Sequence, residues 1–166
     1  MRYVTGGVVA LFLALLQASS IQQFKVVGVT PNLLLVLLVS WLVVRGLDDV
    51  LPMIAVAGIT ISFVGLQTPG LVLLALLPIG GLGLLREMHV IHSDLLLVLA
   101  LVAAATVAYE SVIVASLVVT GGGYDVIAAL RSAVIPAAIV NVIITPPVYV
   151  VMRLARLSSR HNRLAY

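Results

Sequence analysis

Apolar runs at residues 4–21, 29–44, 50–66, 70–85, 94–119 and 126–152 take up most of the chain, and the stretches between them are short. Crossing the hydrocarbon core of a bilayer takes about 20 apolar residues, so the pattern predicts an all-α integral membrane protein with six transmembrane helices. The composition agrees: 63% of the 166 residues are hydrophobic, 9% are charged, and the mean hydropathy is +1.28. No polar stretch is long enough to bury a core of its own, which excludes a separate soluble module. Residues 1–152 are read as a transmembrane domain and residues 153–166 as a basic cytoplasmic tail. Gln67, Thr68 and Pro69 either separate two helices or kink a single one, and the second case would leave five spans.

Charge placement orients the bundle. With six spans, Arg2, Arg45, Arg86, Arg153, Arg156, Arg160 and Arg163 fall on one side and only Lys25 and Arg131 on the other. Basic residues beside spans stay in the cytoplasm, so both termini are expected there, in a bacterial cytoplasmic membrane. The arginines of the tail recur at spacings of three and four, which lines them along one helical face suited to anionic lipid head groups or to a cytoplasmic partner. No folded basic surface lies outside the membrane, so nucleic acid is not an expected ligand. Arg2 followed by an apolar run ending in Ala18, Ser19 and Ser20 has the outline of a signal peptide. That run is long enough to be a span, and we read it as an uncleaved helix.

The first run also carries Gly6, Ala10, Ala14 and Ala18, four residues apart. Hydrocarbon does not drive helices together, so close backbone approach over small residues is a main route to association. The stripe is therefore a docking face, either for a helix of the same bundle or for a foreign one.

Few groups could carry chemistry. Glu110 is the acidic residue deepest in an apolar run, and a carboxylate at that depth must face the bundle, find a partner or be protonated. Arg131, at the start of the last run, is its expected partner. Pro78, Pro136, Pro146 and Pro147 should bend or break their helices, with Asn141 placed to satisfy freed carbonyls. His89 and His92, near Glu87 and Asp94, have a spacing that can put two imidazoles on one face, but no second ligand cluster accompanies them, and no metal or other cofactor is expected. Zinc-protease, nucleophile-elbow and phosphate-loop signatures are missing and cysteine is absent, so an enzyme is not expected. Gly80, Gly81 and Gly83 suit helix packing instead, and Gly121, Gly122 and Gly123 a turn.

Two stretches resemble the MreD family, the small membrane component of the bacterial rod-shape machinery. One is Pro31-Asn32-Leu33-Leu34-Leu35-Val36-Leu37-Leu38-Val39-Ser40-Trp41, followed by Arg45. The other runs from Ile135-Pro136 through Asn141 and Pro146-Pro147-Val148-Tyr149 to Arg153 and Arg156. Asn32 stands where that family commonly has Asp, and Ser62 where it often has an acidic residue. The resemblance implies a non-enzymatic scaffold for peptidoglycan synthesis during cell elongation. It would bind MreC through its transmembrane helices and, through MreC, the RodA glycosyltransferase with its class B penicillin-binding partner, and the MreB filament.

That family is in turn similar to the six-helix S components of energy-coupling-factor vitamin transporters, which dock through small-residue stripes in their first helix. A vitamin-binding S component is accordingly the alternative, with Tyr109, Glu110, Arg131 and Asn141 around an outward pocket. The supply of rings is thin for it, since the only tryptophan, Trp41, lies near the cytoplasmic end of its span. An ion or proton conductor built on Glu110 would need a second ionisable group within the membrane, and none is evident.

Overall fold

A computed structural model of the protein describes residues 8–9, 11–12, 14–15, 17, 28–64, 69–87, 93–121 and 126–161, the side chains of 69, 85–87 and 155–161 excepted. Helices form α1 (Leu33–Arg45), α2 (Leu47–Val64), α3 (Pro69–Glu87), α4 (Asp94–Val119), α5 (Val126–Ala129) and α6 (Ile135–His161), with a π-helical turn, Leu130–Val134, between α5 and α6. Val8, Val9, Leu11, Phe12, Ala14, Leu15 and Gln17 are also helical. There is no strand among the described residues.

Three helical stretches are long and apolar enough to cross a membrane: Leu47–Val64, Asp94–Val119 and the continuous Val126–Leu154. Two others, Leu33–Arg45 and Gly70–Leu84, are equally apolar but shorter. The chain is thus a helical membrane protein, with three helices of full spanning length among the described residues; most of the first of the six expected spans, residues 4–21, lies outside them. The shortest is the most buried. Ten of the thirteen residues of α1 are inaccessible, because α2, α3, α4 and α6 all pack against it. A helix apolar all round belongs at the centre of a bundle. Phe63, Leu77, Ile143 and Val151 lie on the exposed outer faces.

The third and fourth runs are two antiparallel helices and not one kinked helix. A Cβ built on Gly58 would meet Leu73 at 2.5 Å, on Gly80 Leu51 at 3.7 Å, and on Gly83 Leu47 at 2.7 Å. These pairs nest about a common point in the sequence, as only a hairpin does; Gln67 and Thr68 lie outside the described residues. Gly83 and Gly80 pack helices together as expected, whereas a side chain at Gly81 would meet open space.

Several boundaries differ from the expectation. Helix α1 starts at Leu33 and not at Val29, because Asn32 caps it and Pro31 precedes the cap. Helix α2 starts at Leu47, with Asp48 and Asp49 in its first turn, where their charge complements the helix dipole. The α1–α2 connection is the single residue Gly46, at φ 103°. Helix α6 passes the end of the apolar run and continues to His161, so the basic stretch begins as part of the last span. Pro78, Pro146 and Pro147 lie inside α3 and α6 without ending them. Regular α-helix is interrupted instead just before Pro136, where the Ile135 N–H bonds to Leu130 O in the π register. Proline brings no N–H to the ladder, and a π turn is one way a helix absorbs a local change of register.

Candidate functional site

The start of α1 gathers the polar groups of the bundle. The first turn of any helix leaves N–H groups without intrahelical partners, and in an apolar setting each is costly. Three side-chain amide oxygens meet them here. Asn32 Oδ1 accepts from the Leu35 N–H at 3.0 Å, Gln17 Oε1 from the Leu33 N–H at 3.1 Å, and Asn141 Oδ1 from the Asn32 N–H at 2.9 Å. The other ends of the Gln17 and Asn141 amides are also engaged. Gln17 Nε2 donates to Pro31 O at 3.1 Å, and Asn141 Nδ2 donates to Thr106 Oγ1 at 3.1 Å. The Thr145 hydroxyl donates to the Asn141 carbonyl at 2.7 Å. Asn141, Thr106 and Thr145 are buried, with Asn141 1% exposed.

The knot lies halfway through the bundle. Thr106 is the thirteenth of the 26 residues of α4, and Asn141 is near the middle of the stretch Val126–Leu154. Helix α1 therefore begins level with the centre of two full spans and runs about 20 Å, at 1.5 Å per residue, to one face. At that face the Arg45 guanidinium carbon sits 4.9 Å from the centroid of the Trp41 ring, a cation–π contact of the kind suited to a membrane interface. Met152 lines the same small cleft as Trp41, Val44 and Arg45, so α1 and α6 run parallel from the knot.

The expected residues are distributed differently. Asn141 reaches across to Asn32, at the start of α1, and to Thr106 of α4. Glu110 is half-buried and Arg131 exposed, and no ion pair joins them among the described residues; the expected pairing of the last two helices rests on Asn141 and Thr106 instead. Ala14 is fully buried in the core, packed within this bundle, while Val8, Leu11, Phe12 and Leu15 form the exposed face of the same segment. Gly6, Ala10 and Ala18 lie outside the described residues, as do His89 and His92. Arg153 is exposed, and the side chains of Arg156, Arg160 and Arg163 are outside the description. Ser62 is buried, its hydroxyl donating to Gly58 O at 2.6 Å.

Gln17, Thr106 and Thr145 were not singled out from the sequence, and Asn32 only within the stretch that resembles MreD, where that family commonly has Asp. Their one signal was position: each is a polar residue within or at the edge of an apolar stretch. The knot consists of neutral amides, hydroxyls and backbone groups, with no nucleophile or base of tuned acidity. Its chemistry is to hold helices in register. Of Tyr109, Glu110, Arg131 and Asn141, expected around an outward pocket in the alternative reading, Asn141 has its amide engaged in the knot. Set against family models, curated proteins and solved structures, the chain matches none.

Proposed function

We propose that this chain is a non-enzymatic membrane scaffold of the bacterial rod-shape machinery, an MreD-like protein of the cytoplasmic membrane. In this reading it is a six-span, S-component-like bundle with both termini in the cytoplasm. It binds MreC through its transmembrane helices and, through MreC, meets RodA with its class B penicillin-binding partner, and MreB. One observation carries it. The two stretches that resemble MreD, residues 31–45 and 135–156, meet at the hydrogen bond from the Asn32 N–H to Asn141 Oδ1. Their shared residue types are then the two halves of one structural device, which is what a scaffold of fixed shape needs. The side-by-side ends of α1 and α6 also bring Arg45 and Arg153 to one face, in keeping with the charge asymmetry that predicts cytoplasmic termini.

Co-expression with tagged MreC tests the reading. Retention of the full chain on MreC through detergent purification is expected, weakened by Phe12→Ala together with Leu15→Ala on the exposed face of the amino-terminal segment. Failure of the membrane-inserted wild-type chain to co-purify with MreC would overturn it. A small heterocycle bound to the purified chain would favour the S-component reading instead.

A further inference from the structure

Helix α1 fills the centre of the bundle on one side of the knot only. Arg131 and Arg153, both exposed, stand ten residues before and twelve residues after Asn141, about 15 and 18 Å along the helix axis at 1.5 Å per residue. Charges so spaced bracket a hydrocarbon core of about 30 Å, which puts Asn141, and the Asn32 N–H that it holds, near the membrane midplane. From there α1 runs to the Arg153 side. On the Arg131 side, α4 and the last helix continue without it.

The chain that enters α1 is not helical. Gly28 is in a turn at φ 83°, and Val29, Thr30 and Pro31 also lack helical backbone. A fully extended chain advances at most about 3.6 Å per residue, so Gly28 is no more than about 14 Å from Asn32. The whole of residues 28–32 therefore lies at hydrocarbon depth. Non-helical backbone persists there only where protein buries it or water reaches it. Protein buries Pro31, but Gly28 is exposed and Val29, Thr30 and Asn32 are partly exposed. Glu110 makes the same demand independently. It is one turn beyond Thr106 on the same face of α4, about 6 Å towards the Arg131 side. It is half-buried, with no hydrogen bond or ion pair among the described residues. A carboxylate at that depth without a protein partner faces a water-filled space.

We propose that a water-filled vestibule opens on the Arg131 side of the membrane and descends to the start of α1, with the backbone of residues 28–32 and Glu110 on its walls and the knot as its floor. It brings water and small hydrophilic solutes to the middle of the bilayer. The vestibule does not depend on the scaffold reading. Single-cysteine variants of the full chain test it, since the protein has no cysteine of its own. A charged, membrane-impermeant methanethiosulfonate reagent is applied to sealed vesicles of either orientation. It attacks the thiolate, a charge that hydrocarbon does not support. Thr30→Cys, Val29→Cys and Glu110→Cys should be modified from the side on which Thr120→Cys reacts, and protected from the side on which Arg153→Cys reacts. Val107→Cys and Ile143→Cys, close to the level of the knot on exposed outer faces, should be protected from both. Protection of both Thr30→Cys and Val29→Cys, protection of Glu110→Cys, modification of these positions from the Arg153 side, or modification of Ile143→Cys as fast as Thr30→Cys would each overturn the proposal.

Discussion

Asn141 serves three elements at once: its Oδ1 receives the Asn32 N–H, its Nδ2 donates to Thr106, and its carbonyl takes the Thr145 hydroxyl. Asn141→Leu keeps the approximate volume and strands a buried backbone donor and a buried hydroxyl. The expected loss is about 1–2 kcal/mol, the range for an unmet buried group and for the stronger interhelical hydrogen bonds in membranes. Thr106→Ala should cost less, since only the Asn141 amide loses a partner; unfolding of the two variants in detergent gives the order. Ser40 poses the opposite case. Its hydroxyl is fully buried without a hydrogen-bond partner among the described residues, so Ser40→Ala is expected to leave stability unchanged or raise it by up to about 1 kcal/mol. At this scale the sequence marked Asn141 as special without giving its partners. Which backbone group a buried amide answers depends on a neighbour 109 residues away, and no local pattern records it.

Helix α1 is the element that organises the rest, and it turns into α2 through Gly46 alone, with φ 103° and ψ 175°. That region of backbone space is open to glycine and costs other residues about 1–3 kcal/mol. Gly46→Ala should therefore lower the unfolding free energy by that amount, or reduce the yield of folded protein from membranes; an unchanged melting curve would show that the turn relaxes freely. The hairpin of α2 and α3 depends on close approach in another way. A Cβ on Gly83 would fall 2.7 Å from Leu47 and 3.2 Å from Leu42, so Gly83→Val is expected to destabilise by about 1–3 kcal/mol through overpacking. Gly81→Val faces open space and is the matched control, with only the modest helix-propensity change expected. Element existence was legible from apolar runs, and the bounds of α4 coincide with its run. The start of α1 was not legible, because Val29 reads as the first apolar residue of the run while Asn32, three residues on, takes the capping role.

Across the whole molecule, the arrangement predicts which positions share a side. Helix α1 ends, α2 begins, α4 begins and α6 leaves its apolar stretch at one face, whereas α4 ends and α5 begins at the other. The absence of cysteine makes single-cysteine labelling clean. In intact cells, Asp48→Cys, Ser93→Cys and Arg153→Cys should be protected from a membrane-impermeant maleimide, and Thr120→Cys should be labelled. The reverse pattern would invert the orientation predicted from the arginines, and mixed labelling among the first three would refute the shared face.

Apolar run length and charge placement by themselves determined that the chain is a bundle of membrane helices and forecast its orientation, because lipid imposes both constraints on each segment separately. Tertiary structure alone decided that a short helix stands at the centre, that its first turn is capped by Gln17 and Asn141 from elsewhere in the chain, and that the small Ala14 is spent inside the bundle. Capping and packing are contacts between segments far apart in the sequence, and which segments meet is settled only when several helices compete for the same buried surface.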